Sequence, residues 1–368
     1  MRGGGGRRFT IRGVPADLLR TWTARLEASR WARPVLAPTA TSMRRIALAG
    51  VIADTAIMST GAAVRLSSSG LGCPDWPRCS AADIVASKNA GQTLLNTWIE
   101  FGNRLLNFPL VIITVLVFIA AWRFRPQGTR RRDLVWLAAI QPAGVFAQAA
   151  IGGIVVLTKL NPVAVSIHFL VSASIVAAAV VLHVRCTEGT DPPTIASWGG
   201  QGGASPQVNT VRSDLYLLSA ALVAVTGVML AAGTVVTGTG PLAGHADTPR
   251  YKLPLEGVTQ LHADIGWLLA GLAVALVVGL RMSGAPSRVV RASVIMFGSL
   301  GLQGVIGYVQ YFTHLPAGLV WVHVTGSVLV WIAVLRLFLF MRDRGPLTRP
   351  SPQPVQAAPY RQPETLDR

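Results

Sequence analysis

Six histidines occur in the 368 residues, and three of them sit where a titratable side chain is expensive. His168 in SIHF, His262 in TQLHAD and His323 in WVHV each lie about five residues into a long apolar run. An ionisable group inside a membrane-length apolar segment is costly and usually faces a bundle interior or a site. Neutral imidazole is also the commonest metal ligand, and it serves as an axial ligand to haem iron. One such histidine could equally hydrogen-bond a neighbouring helix. Three at one depth favour ligation of a cofactor. His183, at the far end of its run, is expected to snorkel to the surface. His245 and His314 fall in connections and are weaker ligand candidates.

Two of the three histidines belong to a repeat. Gln148 to Ser172 aligns without a gap on Gln303 to Ser327, placing Gln148, Gly152, Leu160, His168 and Ser172 on Gln303, Gly307, Leu315, His323 and Ser327. The chain therefore reads as two related halves with a histidine at the same place in each. In the first half, the position matching His262 falls at Asn103, in NTWIEFGNRLLN. Glu100 lies one turn before it on the same helix face. Such a carboxylate either forms a buried structural pair with Arg104 or another neighbour, or it handles protons in a site. Cys73 and Cys79 bracket a short Pro-containing loop, GLGCPDWPRCS, and a disulfide is expected there if the loop faces an oxidising compartment. A zinc site would need further nearby Cys or His residues. Cys186 reads as a free thiol.

The elements that must hold these residues are membrane spans. Hydrophobic residues make up 51% of the chain and charged ones 13%, with mean hydropathy +0.48, against about 25% charged in ordinary soluble domains. Apolar runs cover about 44–64, 98–122, 134–157, 163–184, 214–237, 258–280, 289–311 and 318–341. Each has roughly the length that spans a bilayer, and helices are the expected form because backbone polar groups in lipid must be satisfied internally. The net charge of +17 comes mostly from arginines at segment ends and in the tails, which argues for topology and against nucleic-acid binding. Arg-rich connections alternate with charge-poor ones, so both termini are expected on the cytoplasmic side. The three histidines then lie toward the outer face. Residues 1–43 read as an Arg-rich cytoplasmic tail, 44–184 and 214–341 as the two halves, 185–213 as a linker and 342–368 as a disordered tail.

Taken together, TGAAVRLSSSGLGCPDWPRC, WIEFGNRLL and the three histidine motifs resemble the heme A synthase family, over roughly residues 44–341. The resemblance implies an all-α, eight-helix protein built as two pseudo-symmetric four-helix bundles in the bacterial cytoplasmic membrane. His262 and His323 would be the axial ligands of a resident haem b. His168 and Asn103 would flank the iron of the haem O substrate, and Glu100 would be the catalytic carboxylate. The reaction it implies converts a ring methyl of haem O to a formyl group, giving haem A for cytochrome oxidase. A haem O synthase and a membrane electron acceptor are the implied partners, and a homo-oligomer is left open. Two departures stand out. Asn103 replaces a histidine that many members carry, and the 238–257 loop lacks a cysteine pair found in some of them. Alternative readings are a b-type cytochrome for membrane electron transfer, or a haem transport or assembly factor.

Overall fold

The computed structural model describes residues 29–81, 83–86, 93–190, 211–345 and 347. Most of the expected N-terminal tail, the middle of the linker and nearly all of the C-terminal tail lie outside these residues. The described residues are helical, with no strand among them. After a short helical turn at Arg33–Leu36 come α1 (Ala40–Leu66), α2 (Leu94–Leu105), α3 (Asn107–Arg123), α4 (Arg132–Leu157), α5 (Pro162–Arg185), α6 (Ser213–Thr239), α7 (Leu255–Met282), α8 (Ser287–Phe312) and α9 (Ala317–Phe340).

With α2 and α3 counted together, eight helices are long and apolar enough to cross a membrane, at 24 to 30 residues each, against about 20 needed. Hydropathy located all eight. It could not show that the second is broken at Leu106, because the apolar run continues through the break. Pro109 supplies the reason: it has no N–H for the Leu105 carbonyl, and its ring crowds that carbonyl. Side chains cap several starts. Thr39 and Ser42 form a reciprocal capping box, and Asn161 accepts from the Val163 N–H at 3.0 Å.

One core joins α6 to α9 around Leu222, Leu276, Leu280, Met296 and Leu337. A second joins α1, α3, α4 and α5 around Met43, Val117, Leu134 and Leu182. Between them, Val51, Val176, Ala179, Val328 and Leu335 pack α1, α5 and α9 together. Polar contacts cross the same seam. Ser59 and Thr325 share a hydrogen bond of 2.8 Å, and Trp331 Nε1 donates to the Ala173 carbonyl at 3.0 Å. Large apolar side chains point outward all round, among them Phe108, Ile112, Phe146, Leu302 and Phe312. A lipid surround accounts for that exposure.

The sequence repeat extends to backbone conformation. Lys159 and Leu160 turn α4 into α5 with φ of 53° and 59°, and His314 and Leu315 turn α8 into α9 with φ of 61° and 60°. Two consecutive non-glycine residues in the left-handed region are uncommon. Both helix pairs use the same device, and it sets His168 and His323 at the seventh position of their helices.

Candidate functional site

His262 on α7 and His323 on α9 face each other with ring centroids 6.5 Å apart and planes inclined at 70°. A metal–imidazole bond is about 2 Å long, so two rings on opposite sides of one ion have centroids roughly 6 Å apart. The pair is thus spaced to bind one iron from two sides. Each ring is held against a glycine on the preceding helix. A Cβ on Gly233 would stand 3.3 Å from His262 Cε1, and one on Gly307 would stand 3.2 Å from His323 Cε1. Their Nδ1 atoms are buried without an ordinary hydrogen bond, that of His323 beside the Gln303 backbone. Half-buried imidazoles with no side-chain hydrogen-bond partner among the described residues fit a bis-histidine haem.

His168 on α5 repeats this arrangement, with Cε1 3.5 Å from a Cβ on Gly152 and Nδ1 buried without a partner. Gln148 holds the local backbone: Nε2 donates to the His168 carbonyl at 2.9 Å and to Ser172 Oγ at 2.6 Å. The fourth position differs. Shifting α1 by 172 residues onto α6 places Val51, Gly61, Gly72 and Asp75 on Val223, Gly233, Gly244 and Asp247. Gly61 is therefore the counterpart of Gly233, yet a Cβ there would meet nothing within 4 Å. Asn103, the counterpart of His262, has an amide oxygen buried without a partner. Three of the four glycine seats carry an imidazole. The fourth does not.

Glu100 is ion-paired with Arg104. Glu100 is 6% exposed. Its Oε1 accepts from Arg104 Nη2 at 2.6 Å, and its Oε2 accepts from the Cys73 N–H at 2.8 Å. Arg104 continues into the loop, donating to the carbonyls of Cys73, Asp75 and Arg78 at 2.8, 2.9 and 3.1 Å. Cys73 and Cys79 are joined in a disulfide, with Cα atoms 4.3 Å apart. The loop reaches across the bundle, because the Trp76 ring covers Gly153, the residue after the glycine that seats His168. Glu100 and His168 are thereby linked through one small loop. His245 lies near Asp247, with Nδ1 3.7 Å from its carboxylate, and the adjacent Gly244 carbonyl accepts from the Gly70 N–H at 3.3 Å.

The model of the cytochrome oxidase assembly protein family matches residues 44–335, from the second turn of α1 to near the end of α9. The chain belongs to that family. Relatives carry the name heme A synthase, in line with the resemblance read from the motifs. One from Lysinibacillus sphaericus is 33% identical over 114 residues, 31% of this chain and 35% of that protein. One from Shewanella oneidensis is 23% identical over 332 residues, covering 77% of this chain and 92% of that protein. A third, from Geobacillus kaustophilus, is 30% identical over 109 residues, 30% of its length. The chain thus spans about a third of the Lysinibacillus and Geobacillus proteins and nearly all of the Shewanella one.

The glycine seats and the reach of Trp76 escaped the sequence reading. Gly152 and Gly307 were visible as repeat partners, but their contact with an imidazole joins different helices. Also missed was Asp54, a single acid in the middle of the first apolar run, which the structure buries at 4% exposure. Its signal was the charge itself.

Proposed function

We propose that the protein is a heme A synthase, a membrane oxidoreductase that oxidises a ring methyl of haem O to a formyl group. The observation that carries this reading is the inequality of the two halves. One holds two imidazoles at the spacing of a doubly ligated iron, and the other holds one imidazole and an open glycine seat. An electron-transfer cytochrome needs neither an open seat nor a buried carboxylate held in the same half. Family membership and relatives named heme A synthase support the same reading.

In this proposal His262 and His323 hold haem b, which supplies one-electron transfer when bound. His168 ligates the iron of haem O. Asn103 is a poor iron ligand and leaves the opposite position to water or another small ligand. Glu100 serves the reacting centre, where a carboxylate assists proton removal. The Cys73 N–H and Arg104 fix its orientation, and Trp76 closes the loop over the α4–α5 seam. Electrons leave to a membrane acceptor, and a haem O synthase supplies the substrate. The bacterial cytoplasmic membrane is the proposed location, with both haem sites toward the outer face.

Co-expression with a haem O synthase tests this directly. Haem A is expected among the extracted pigments. Recovery of haem B and haem O alone, from folded and haem-loaded protein, overturns the reading in favour of a cytochrome or a carrier.

A further inference from the structure

Asp54 lies near the middle of α1, fourteen residues beyond its first residue, Ala40, and far from either end of the span. It is 4% exposed, and its partner Gln141 on α4 is fully buried. With the carboxamide set to satisfy its neighbours, Gln141 donates to Asp54 Oδ2 at 2.6 Å and accepts from the Ala179 N–H of α5 at 3.1 Å. The pair thus joins α1, α4 and α5 in mid-membrane. Among the described residues no cation completes it. The charged and titratable residues on α1 itself are Arg44, Arg45 and Arg65, toward its ends. On the helices packed against α1 they are Arg33, Glu100, Arg104 and Arg123, then His168, His183 and Arg185, then His323 and Arg336, and on α4, which carries Gln141, they are Arg132 and Asp133. Among the described residues, none of them forms an ion pair with Asp54.

A membrane-buried acid with only a neutral partner is costly and marks a functional group by default. The repeat shows that the fold does not require it. The shifts that superpose the two halves place Thr226 on Asp54 and Met296 on Gln141, both also buried. The second half therefore packs the same point without an acid. Toward His168, the next polar side chain along this face of α4 is Gln148, with Ile175 of α5 packed at Gly144 between them. Gln141 and Gln148 are two turns apart on one face of α4, about 10 Å along the axis. Gln148 is bonded to Ser172 and to the His168 carbonyl. In the second half Gln303, Ser327 and His323 are retained, but Met296 and Thr226 replace the Gln141–Asp54 pair.

We propose that Asp54 is the proton acceptor of the first-half site, working with Gln141 along the α4–α5 seam. This rests on the haem-oxidising reading above and adds a residue to it. With water as the oxygen source, R–CH3 + H2O gives R–CHO + 4 H+ + 4 e−. The electrons pass to a lipid-soluble acceptor of the quinone class, and the protons must leave a site walled by apolar helices. The Asp54 carboxylate takes up one such proton, becomes the neutral acid bonded to Gln141, and returns the proton to water before the next. Only the half that performs the oxidation carries the acid.

The test uses the full-length, haem-loaded protein with haem O and a quinone acceptor. Asp54→Asn is expected to keep the b-type spectrum and to bind haem O, while haem A formation falls at least about tenfold and its pH profile loses a limb. Asp54→Glu is expected to restore the rate and the pH dependence. A protonated-carboxyl infrared band that changes with the redox state of the wild-type protein, and is absent from Asp54→Asn, is expected as well. Wild-type rate and an unchanged pH profile in Asp54→Asn would overturn the proposal while leaving haem A synthesis intact. If Asp54→Asn does not accumulate, the wild-type infrared difference decides: no carboxyl band overturns the proposal. A wild-type protein that forms no haem A overturns the parent reading instead.

Discussion

In the proposed haem site each histidine ring is placed by the residue behind it. At Gly307 a side chain would start 3.2 Å from the His323 ring edge, so glycine is the residue that lets the ring lie where it does. Gly307→Val is expected to displace the imidazole, cost about 1–3 kcal/mol by overpacking, and abolish the b-type absorbance of the purified protein. His262→Ala and His323→Ala should abolish it too; retention in both would remove them as ligands. Gly61→Ala should leave that spectrum and the yield unchanged, since a Cβ there meets nothing within 4 Å. Cys186 is different chemistry. It is fully buried, its thiol donates to the His183 carbonyl at 3.1 Å, and burial pushes its pKa up to about 12. An unfolded thiol ionises near 8.5, so the folded state loses stability only as pH rises above that value. Below it the thiol is neutral in both states. Iodoacetamide at pH 8.5 should modify Cys186 in denatured protein and spare it in folded protein, and equal rates would contradict the burial.

Among the elements, the loop between α1 and α2 depends on one guanidinium. Arg104 satisfies three loop carbonyls and the Glu100 carboxylate together, and Glu100 returns a bond to the Cys73 N–H. Removing one partner of such a buried pair strands the other, at about 3–5 kcal/mol. Arg104→Gln should therefore loosen the loop, visible as faster reduction of Cys73–Cys79 by a mild thiol, followed by mass mapping. An unchanged reduction rate would mean that the loop holds itself. At this scale sequence legibility was uneven. The spans were plain because twenty apolar residues have few other fates. The break before Pro109 was hidden inside unbroken hydropathy. The Glu100–Arg104 pair was foreseeable from its i, i+4 spacing, whereas the bonds from Arg104 to the loop join residues 26 to 31 positions apart. The proposed ligand histidines stood out as costly residues in apolar runs. Asp54 was equally costly and equally visible, but no repeat partner drew attention to it.

For the whole molecule, the two halves share turns, seats and seam while differing in chemistry at a few positions. The direct test of that difference is Asn103→His. The new imidazole should occupy the Gly61 seat, and the first-half haem should become six-coordinate and low-spin in optical and paramagnetic resonance spectra. Haem A output should fall as the open position closes. A first-half haem that is already doubly ligated in the wild type would show that Asn103 is not where the ligand is lost. Gly61 has a further implication. Nothing near it now requires glycine, yet glycine stands there, as it does behind each of the three imidazoles. A duplicated ancestor with the same contact in all four helix pairs would leave this residue behind once its histidine was lost. On that history the two halves began as equal binders, and reactivity came by subtraction, with one ligand given up and its socket kept.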